Sequence, residues 1–153
     1  MQAISLLLGI TLSMAMPFKA TGAFFALSVA DIQASARWYS EKLGLKVVME
    51  VPKRERSAVI VLEGGGLVVE LLQDDDALPL SRAVPVLTGR QSVHGLFKAG
   101  VLVEDFEGTV AMLRARGVEI AYGPYPAREH QRANVIIRDN SGNLIQFFGA
   151  ASS

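Results

Sequence analysis

The chain contains few of the sulfur and imidazole side chains that bind metals or act in catalysis. It has no cysteine, which removes thiolate metal sites, disulfides and thiol nucleophiles. Its two histidines, His94 and His130, lie in predicted loops. The carboxylate in the most unusual setting is Glu70, which interrupts the apolar run 67–72. Because burying an unpaired carboxylate is costly, we expect Glu70 to have a partner or a ligand.

Length and composition predict one compact domain and exclude one class of partner. Half of the 153 residues are hydrophobic, which supplies an adequate core for a single domain. Fifteen basic residues balance fifteen acidic ones, and no basic stripe with interleaved aromatics is present. Nucleic acid is therefore not an expected partner.

Residues 1–22 differ in character from the rest of the chain. An apolar run from Ile4 to Met14 is followed by the small residue Ala15, a pattern similar to a secretory signal peptide. The run is too short to span a bilayer, so the mature chain is expected to be secreted or periplasmic, without a membrane segment. The alternative is that Met16 is the true start, that residues 1–22 are an extension, and that the protein is cytoplasmic.

The elements that would position Glu70 belong to a duplicated unit. The strand-like segment 24–31 and the segment 98–105 each end in an aspartate, Asp31 or Asp105, 74 positions apart. Each aspartate is a predicted cap of a helix that ends at a glycine, Gly44 or Gly117. Such a repeat indicates two copies of one structural unit.

Each copy is predicted to be a βαβββ module. After the helices, strand-like runs cover residues 45–51, 57–63 and 67–73 in the first copy, and 118–122, 133–138 and 143–148 in the second. Glycine-rich or polar turns at 64–66 and 140–143 suit tight hairpins. The predicted fold class is α+β, with two tandem modules forming curved mixed sheets around a cleft. Module one covers 23–73, a connecting loop 74–96, module two 97–149 and a tail 150–153.

Two segments resemble motifs of the vicinal oxygen chelate superfamily, which includes glyoxalase I, bleomycin-resistance proteins and extradiol dioxygenases. The segment 37–45, RWYSEKLGL, is similar to the end of the family's first helix. The segment 138–147, RDNSGNLIQF, is similar to its last hairpin. The resemblance covers residues 23–149 and implies the same fold.

The resemblance also implies where a metal would bind, at Phe24, Glu70, Lys98 and Gln146. Only Glu70 is a ligand of the expected kind. Phenylalanine has no donor atom, lysine carries a positive charge, and a glutamine amide is a weaker ligand than a carboxylate. We therefore expect no divalent metal and no other cofactor.

Strand alternation predicts an apolar pocket with a few polar groups, as small-molecule sites usually have. The family geometry brings Lys98 toward Glu70, so the ammonium group is predicted to occupy the place of the lost metal. A purely structural ion pair is one alternative, and a metal-free acid and base pair formed by the same two residues, the catalytic candidates, is another. The predicted pocket residues are Phe24, Ala26, Ser28, Glu70, Lys98, Gly100, Gln146 and Phe148.

These features predict a metal-independent small-molecule binding protein of the glyoxalase/bleomycin-resistance type. The alternative function is an enzyme of the same fold, a glyoxalase-like lyase, an isomerase or a dioxygenase-like enzyme, either metal-free or with an unrecognised metal site. A homodimer is expected. The modules are free to pair within one chain or to exchange between two chains.

Overall fold

The computed structural model describes residues 23–79, Arg82 and residues 98–150. In this part of the chain the two predicted modules are present, and each has the element order βαβββ. The elements are β1 (Phe24–Ser28), α1 (Ile32–Trp38) with a π-helical continuation (Tyr39–Leu43), β2 (Lys46–Arg54), β3 (Ser57–Gly64), β4 (Leu67–Asp74), β5 (Ala99–Leu102), α2 (Phe106–Ala115), β6 (Glu119–Tyr125), β7 (Asn134–Arg138) and β8 (Leu144–Phe148).

Each module forms one four-stranded mixed sheet, which confirms the predicted fold class. The strand orders are β1-β4-β3-β2 and β5-β8-β7-β6. The first strand of each module pairs in parallel with the last, and the other neighbours are antiparallel. The two sheets therefore have the same topology, and β1 and β5 occupy equivalent edges.

The helix caps and hairpin turns follow the sequence pattern. The Asp31 side chain accepts a hydrogen bond from the Ala34 amide at 2.9 Å, and Asp105 accepts one from Gly108 at 2.8 Å. Gly44 and Gly117 close the helices with positive φ values of 78° and 62°, a conformation that glycine adopts without steric cost. The predicted starts and ends of the helical segments are thus confirmed.

One feature of the first helix differs from its copy. Residues 39–43 form a π-helical turn, whereas α2 has none along its length. The interval from capping aspartate to closing glycine is one residue longer in module one (31 to 44) than in module two (105 to 117). A π turn absorbs one extra residue without breaking the helix, which accounts for the difference.

The modules of one chain meet through the sides of their sheets that carry the helices. Residues from both modules, among them Leu27, Leu71 and Phe147, belong to one buried hydrophobic core. The two helix ends also touch. Lys42 donates to the Arg116 carbonyl at 2.5 Å, and Arg116 donates to the Lys42 carbonyl at 3.3 Å. Lys42 and Arg116 are 74 positions apart, the same offset as that between Asp31 and Asp105, so these reciprocal contacts join equivalent positions of the two modules.

Several predictions concern residues outside the described part of the chain. These include the leader (1–22), most of the connecting loop with His94, and residues 151–153 of the tail. The export prediction and its alternative therefore stay predictions. Within the described residues, no helix has the length and apolar character needed to cross a membrane.

Candidate functional site

Strand register defines a cleft face on each sheet, opposite the shared core. On β1, Leu27 is buried in the core, so its neighbours Ala26 and Ser28 lie on the other face. Ala26 is opposite Glu70 in the parallel pairing of β1 with β4. Gly100 is opposite Gln146 in the equivalent pairing of β5 with β8. The predicted alternation of these strands is confirmed.

The cleft face of module one is mainly aliphatic, with the carboxylate of Glu70 near its middle and that of Glu63 at its end. Glu70 is half-buried and lies beside Val61, which in turn is opposite Met49. No hydrogen bond or ion pair of the described residues involves the Glu70 side chain. Its predicted pairing with Lys98, which directly precedes β5, therefore stays a prediction.

The cleft face of module two contains a buried pair of amides. Asn134 and Gln146 are only 6% and 5% exposed. Asn134 Nδ2 donates to the Arg132 carbonyl at 3.2 Å, which turns its Oδ1 toward Gln146 Nε2, 2.9 Å away. Because this chain of bonds fixes both amide orientations, Gln146 Oε1 is left buried without a hydrogen-bond donor. Such an atom costs about 1–3 kcal/mol until a donor reaches it.

The two cleft faces are not joined into one sheet through their edge strands. Among the described residues β1 and β5 are not neighbouring strands. Phe24 on β1 is 64% exposed and Leu102 on β5 is 71% exposed. An open groove of about 630 Å³ lies at the end of the module-one face, and its walls include Phe24, Val48 and Val68. Among the described residues, each face thus has an unpaired sheet edge and exposed apolar side chains.

The residues at the four family ligand positions do not fit a divalent metal. Phe24 offers no donor, and the orphaned oxygen of Gln146 is a neutral amide oxygen rather than a carboxylate. Within the described residues, no three histidine, cysteine, aspartate or glutamate side chains are grouped closely enough to hold an ion. The metal independence of the protein stays a prediction.

The most extensive polar network lies at the contact between the modules, outside the cleft faces. The Tyr39 hydroxyl donates to Asp139 Oδ2 at 2.8 Å, and both side chains are buried. Asp139 also accepts bonds from the backbone amides of Ser141 and Asn143 and from the Asn143 side chain. Burial raises the pKa of Tyr39 above its usual value, and the adjacent carboxylate raises it further. This network joins the modules, because Tyr39 belongs to module one and Asp139 to module two.

Sequence reasoning placed Gln146 and Phe148 on the cleft face but missed three residues beside them: Asn134, Tyr122 and Tyr125. Alternation counted back through the last hairpin would have found Asn134. The two tyrosines were hidden because β6 has register shifts against β7, which break the alternation from which a face is deduced.

The fold and the sequence identify the class of protein. The model of the Glyoxalase/Bleomycin resistance protein/Dioxygenase superfamily matches residues 23–147. The chain belongs to this superfamily, as the resemblance of its two motifs predicted. Among curated proteins, no sequence matches the chain significantly.

Solved structures of the superfamily share the fold at low sequence identity. A glyoxalase family protein from Enterococcus faecalis has 22% identity and a TM-score of 0.66, covering 87% of this chain and 99% of that one. TnmS3, an antibiotic binding protein from Streptomyces sp. CB03234, has 18% identity and a TM-score of 0.61, covering 90% and 100%. Lactoylglutathione lyase from Agrobacterium tumefaciens has 18% identity and a TM-score of 0.60, covering 88% and 96%. The similar structures thus include a binding protein and an enzyme.

Proposed function

We propose that the protein is a metal-independent small-molecule binding protein whose apolar cleft forms between two copies of the chain. The observation that carries the proposal is the pair of apolar cleft faces, which lack a chelating set of side chains. A cleft lined by apolar residues with a few polar groups is the usual form of a small-molecule site. The similarity to an antibiotic binding protein supports the same class of function.

The open sheet edges support a homodimer. Among the described strands, β1 and β5 each have a neighbour on one side only, and exposed apolar residues flank both edges. An unpaired apolar edge is a liability unless another chain covers it. Setting the module-one face of one copy against the module-two face of a second copy covers both edges and encloses two equivalent clefts. The contact is closed by two-fold symmetry, so the assembly stops at a dimer.

The same arrangement gives the Glu70 and Lys98 hypothesis a physical basis. In the dimer, the half-buried Glu70 carboxylate of one copy would be more enclosed. It would face module two of the other copy, where Lys98 directly precedes β5. An ion pair across the cleft would offset the cost of enclosing the Glu70 carboxylate. In this proposal the pair orients the ligand or holds the two faces together, and it replaces the metal of related enzymes.

The proposal is tested by titrating the purified chain with the neutral apolar fluorophore N-phenyl-naphthylamine, with and without EDTA. We expect saturable binding, close to one site per chain, that the chelator does not change. Elemental mass spectrometry after incubation with zinc, nickel, manganese and iron, followed by dialysis, is expected to find less than about a tenth of an equivalent of metal.

The enzyme alternative predicts a different result. Near one equivalent of metal, lost in the Glu70→Gln variant, would restore a metalloenzyme and overturn metal independence. Absence of saturable binding at accessible fluorophore concentrations would contradict the binding function itself. The matched control is Glu107→Gln, which removes an exposed carboxylate from α2, away from both cleft faces, and leaves Glu70 intact.

A further inference from the structure

The two cleft faces have diverged chemically, although their residues occupy equivalent positions. In module one, the row across three strands is Met49, Val61 and Glu70. The equivalent row in module two is Tyr122, Ile136 and Gln146.

A second row shows the same change. Val51, Val59 and Leu72 in module one correspond to Tyr125, Asn134 and Phe148 in module two. Across the two rows, four apolar positions of module one, Met49, Val51, Val59 and Leu72, thus correspond to aromatic or amide positions in module two.

We propose that the module-two face recognises a flat aromatic ring system that carries an O–H or N–H donor. The rings lie against Tyr122 and Tyr125, and the donor bonds to Gln146 Oε1. The aliphatic face of the partner copy covers the other side of the rings. This inference rests on the proposed binding function and defines the chemical class of its ligand.

The aromatic side chains are positioned to receive such a ligand. Tyr122 and Tyr125 are about half exposed on the cleft face, and aromatic pairs add attraction beyond the area that they bury. Tyr122 lies two strands from Gln146, roughly 10 Å at the usual strand spacing. A fused two-ring body is therefore long enough to contact the tyrosine and the amide together.

The buried amide pair determines which kind of polar group on the ligand is recognised. Gln146 donates one Nε2 hydrogen to Asn134, whereas its carbonyl oxygen has no hydrogen-bond partner among the described residues. That oxygen accepts hydrogen bonds and cannot donate them. Gly100, opposite Gln146, has open space where a Cβ atom would stand, so a donor can approach from this side with small displacements of the neighbouring side chains.

The test uses three probes that differ in one property each: a naphthol, its methyl ether and its fully saturated analogue. Dissociation constants are measured by ligand-observed NMR on the full chain. Naphthol is expected to bind about fivefold more tightly than the ether, the equivalent of one neutral hydrogen bond. It is also expected to bind several-fold more tightly than the saturated alcohol, because only the aromatic probe makes ring contacts with the tyrosines.

Two variants assign these preferences to residues. In Gln146→Leu the ratio of naphthol to ether affinity is expected to fall to about one, and in Tyr122→Leu the preference over the saturated alcohol is expected to shrink. Gln33→Leu, an exposed glutamine of α1 on the helix side of the first sheet, is the matched control and should leave both ratios unchanged. Each ratio is taken within one variant, so partial unfolding affects both probes equally.

The possible outcomes distinguish the proposed ligand class from the proposed binding function. Binding of all three probes with equal affinity, or a naphthol preference that survives in Gln146→Leu, would overturn the ligand class and leave the binding function standing. Failure of every probe to bind, together with failure of N-phenyl-naphthylamine, would overturn both.

Discussion

Replacing Tyr39 with Phe removes a single oxygen atom from the contact between the modules. The hydroxyl donates to Asp139 at 2.8 Å inside the core, and a hydrogen bond to a charged group contributes about 1.5–3 kcal/mol. Asp139 keeps its three other donors in the variant, so the loss should be near the middle of this range. We expect the free energy of unfolding to fall by about 2 kcal/mol at pH 8.

The corresponding change in melting temperature follows from the size of the domain. An unfolding entropy of about 2.1 cal/mol/K per residue over roughly 130 residues gives about 0.27 kcal/mol/K. A loss of about 2 kcal/mol then lowers the Tm by about 7 °C. Urea denaturation and thermal melting at one fixed protein concentration measure the two quantities, and the fixed concentration removes any effect of dimerisation.

The difference in stability between wild type and Tyr39→Phe should decrease at high pH. Burial and the adjacent Asp139 raise the pKa of Tyr39 in the folded state, whereas in the unfolded chain it is about 10. The contribution of Tyr39 is therefore complete below pH 10 and is lost as the pH rises above that value, by about 1.4 kcal/mol per unit. The difference between wild type and Tyr39→Phe should shrink from about 2 kcal/mol at pH 8 to about 0.6 kcal/mol at pH 11.

Tyr122→Phe is the control, because it removes a hydroxyl from a half-exposed ring on the cleft face. Its effect on stability should stay within about 0.5 kcal/mol. A loss below about 0.5 kcal/mol in Tyr39→Phe would refute the reasoning, because the buried bond would then contribute no more than a surface hydroxyl. A difference that does not change between pH 8 and pH 11 would refute the part that concerns the pKa.

Three further predictions concern separate parts of the chain. Lys98→Met should weaken binding of N-phenyl-naphthylamine about fivefold or more if the pair with Glu70 supports the cleft; full-strength binding would leave the pair no functional role. Asp31→Ala and Asp105→Ala should each cost about 1 kcal/mol in urea denaturation, and an unchanged midpoint in either would contradict its role as a cap. The full chain expressed from its first residue should be recovered outside the cytoplasm and cut after Ala15, whereas cytoplasmic recovery would favour Met16 as the start.

The parts of the fold that depend on local sequence were predictable. Asp31 and Asp105 cap helices because a carboxylate that follows a strand accepts the first free amides of the helix, and this preference requires no knowledge of the rest of the chain. The predicted strands agree with the observed ones to within a few residues, since apolar alternation and turn residues both mark them. The one-residue difference between the two helices was visible in the spacing of their closing glycines, but spacing alone does not specify a π turn.

Contacts between distant residues were not predictable from the pattern. Tyr39 packs in the core, but its bond to Asp139 spans 100 positions and depends on how the modules meet. Likewise, Asn134 was identified only when the register of β7 against β8 placed it beside Gln146. Periodicity indicates which face of a strand is buried, and it contains no information about which residues of two elements become neighbours.

In the proposed dimer, each cleft contains module one of one copy and module two of another. Two variants with a plugged cleft test it directly: Ala26→Phe fills the module-one face, and Gly100→Phe fills the equivalent position of module two, where the structure has open space. Each variant alone should lose binding of N-phenyl-naphthylamine. An equal mixture, unfolded and refolded together, should regain about a quarter of the wild-type sites, because half of the dimers are mixed and each of these has one intact cleft. A mixture with no more binding than the separate variants would show that the cleft belongs to a single chain.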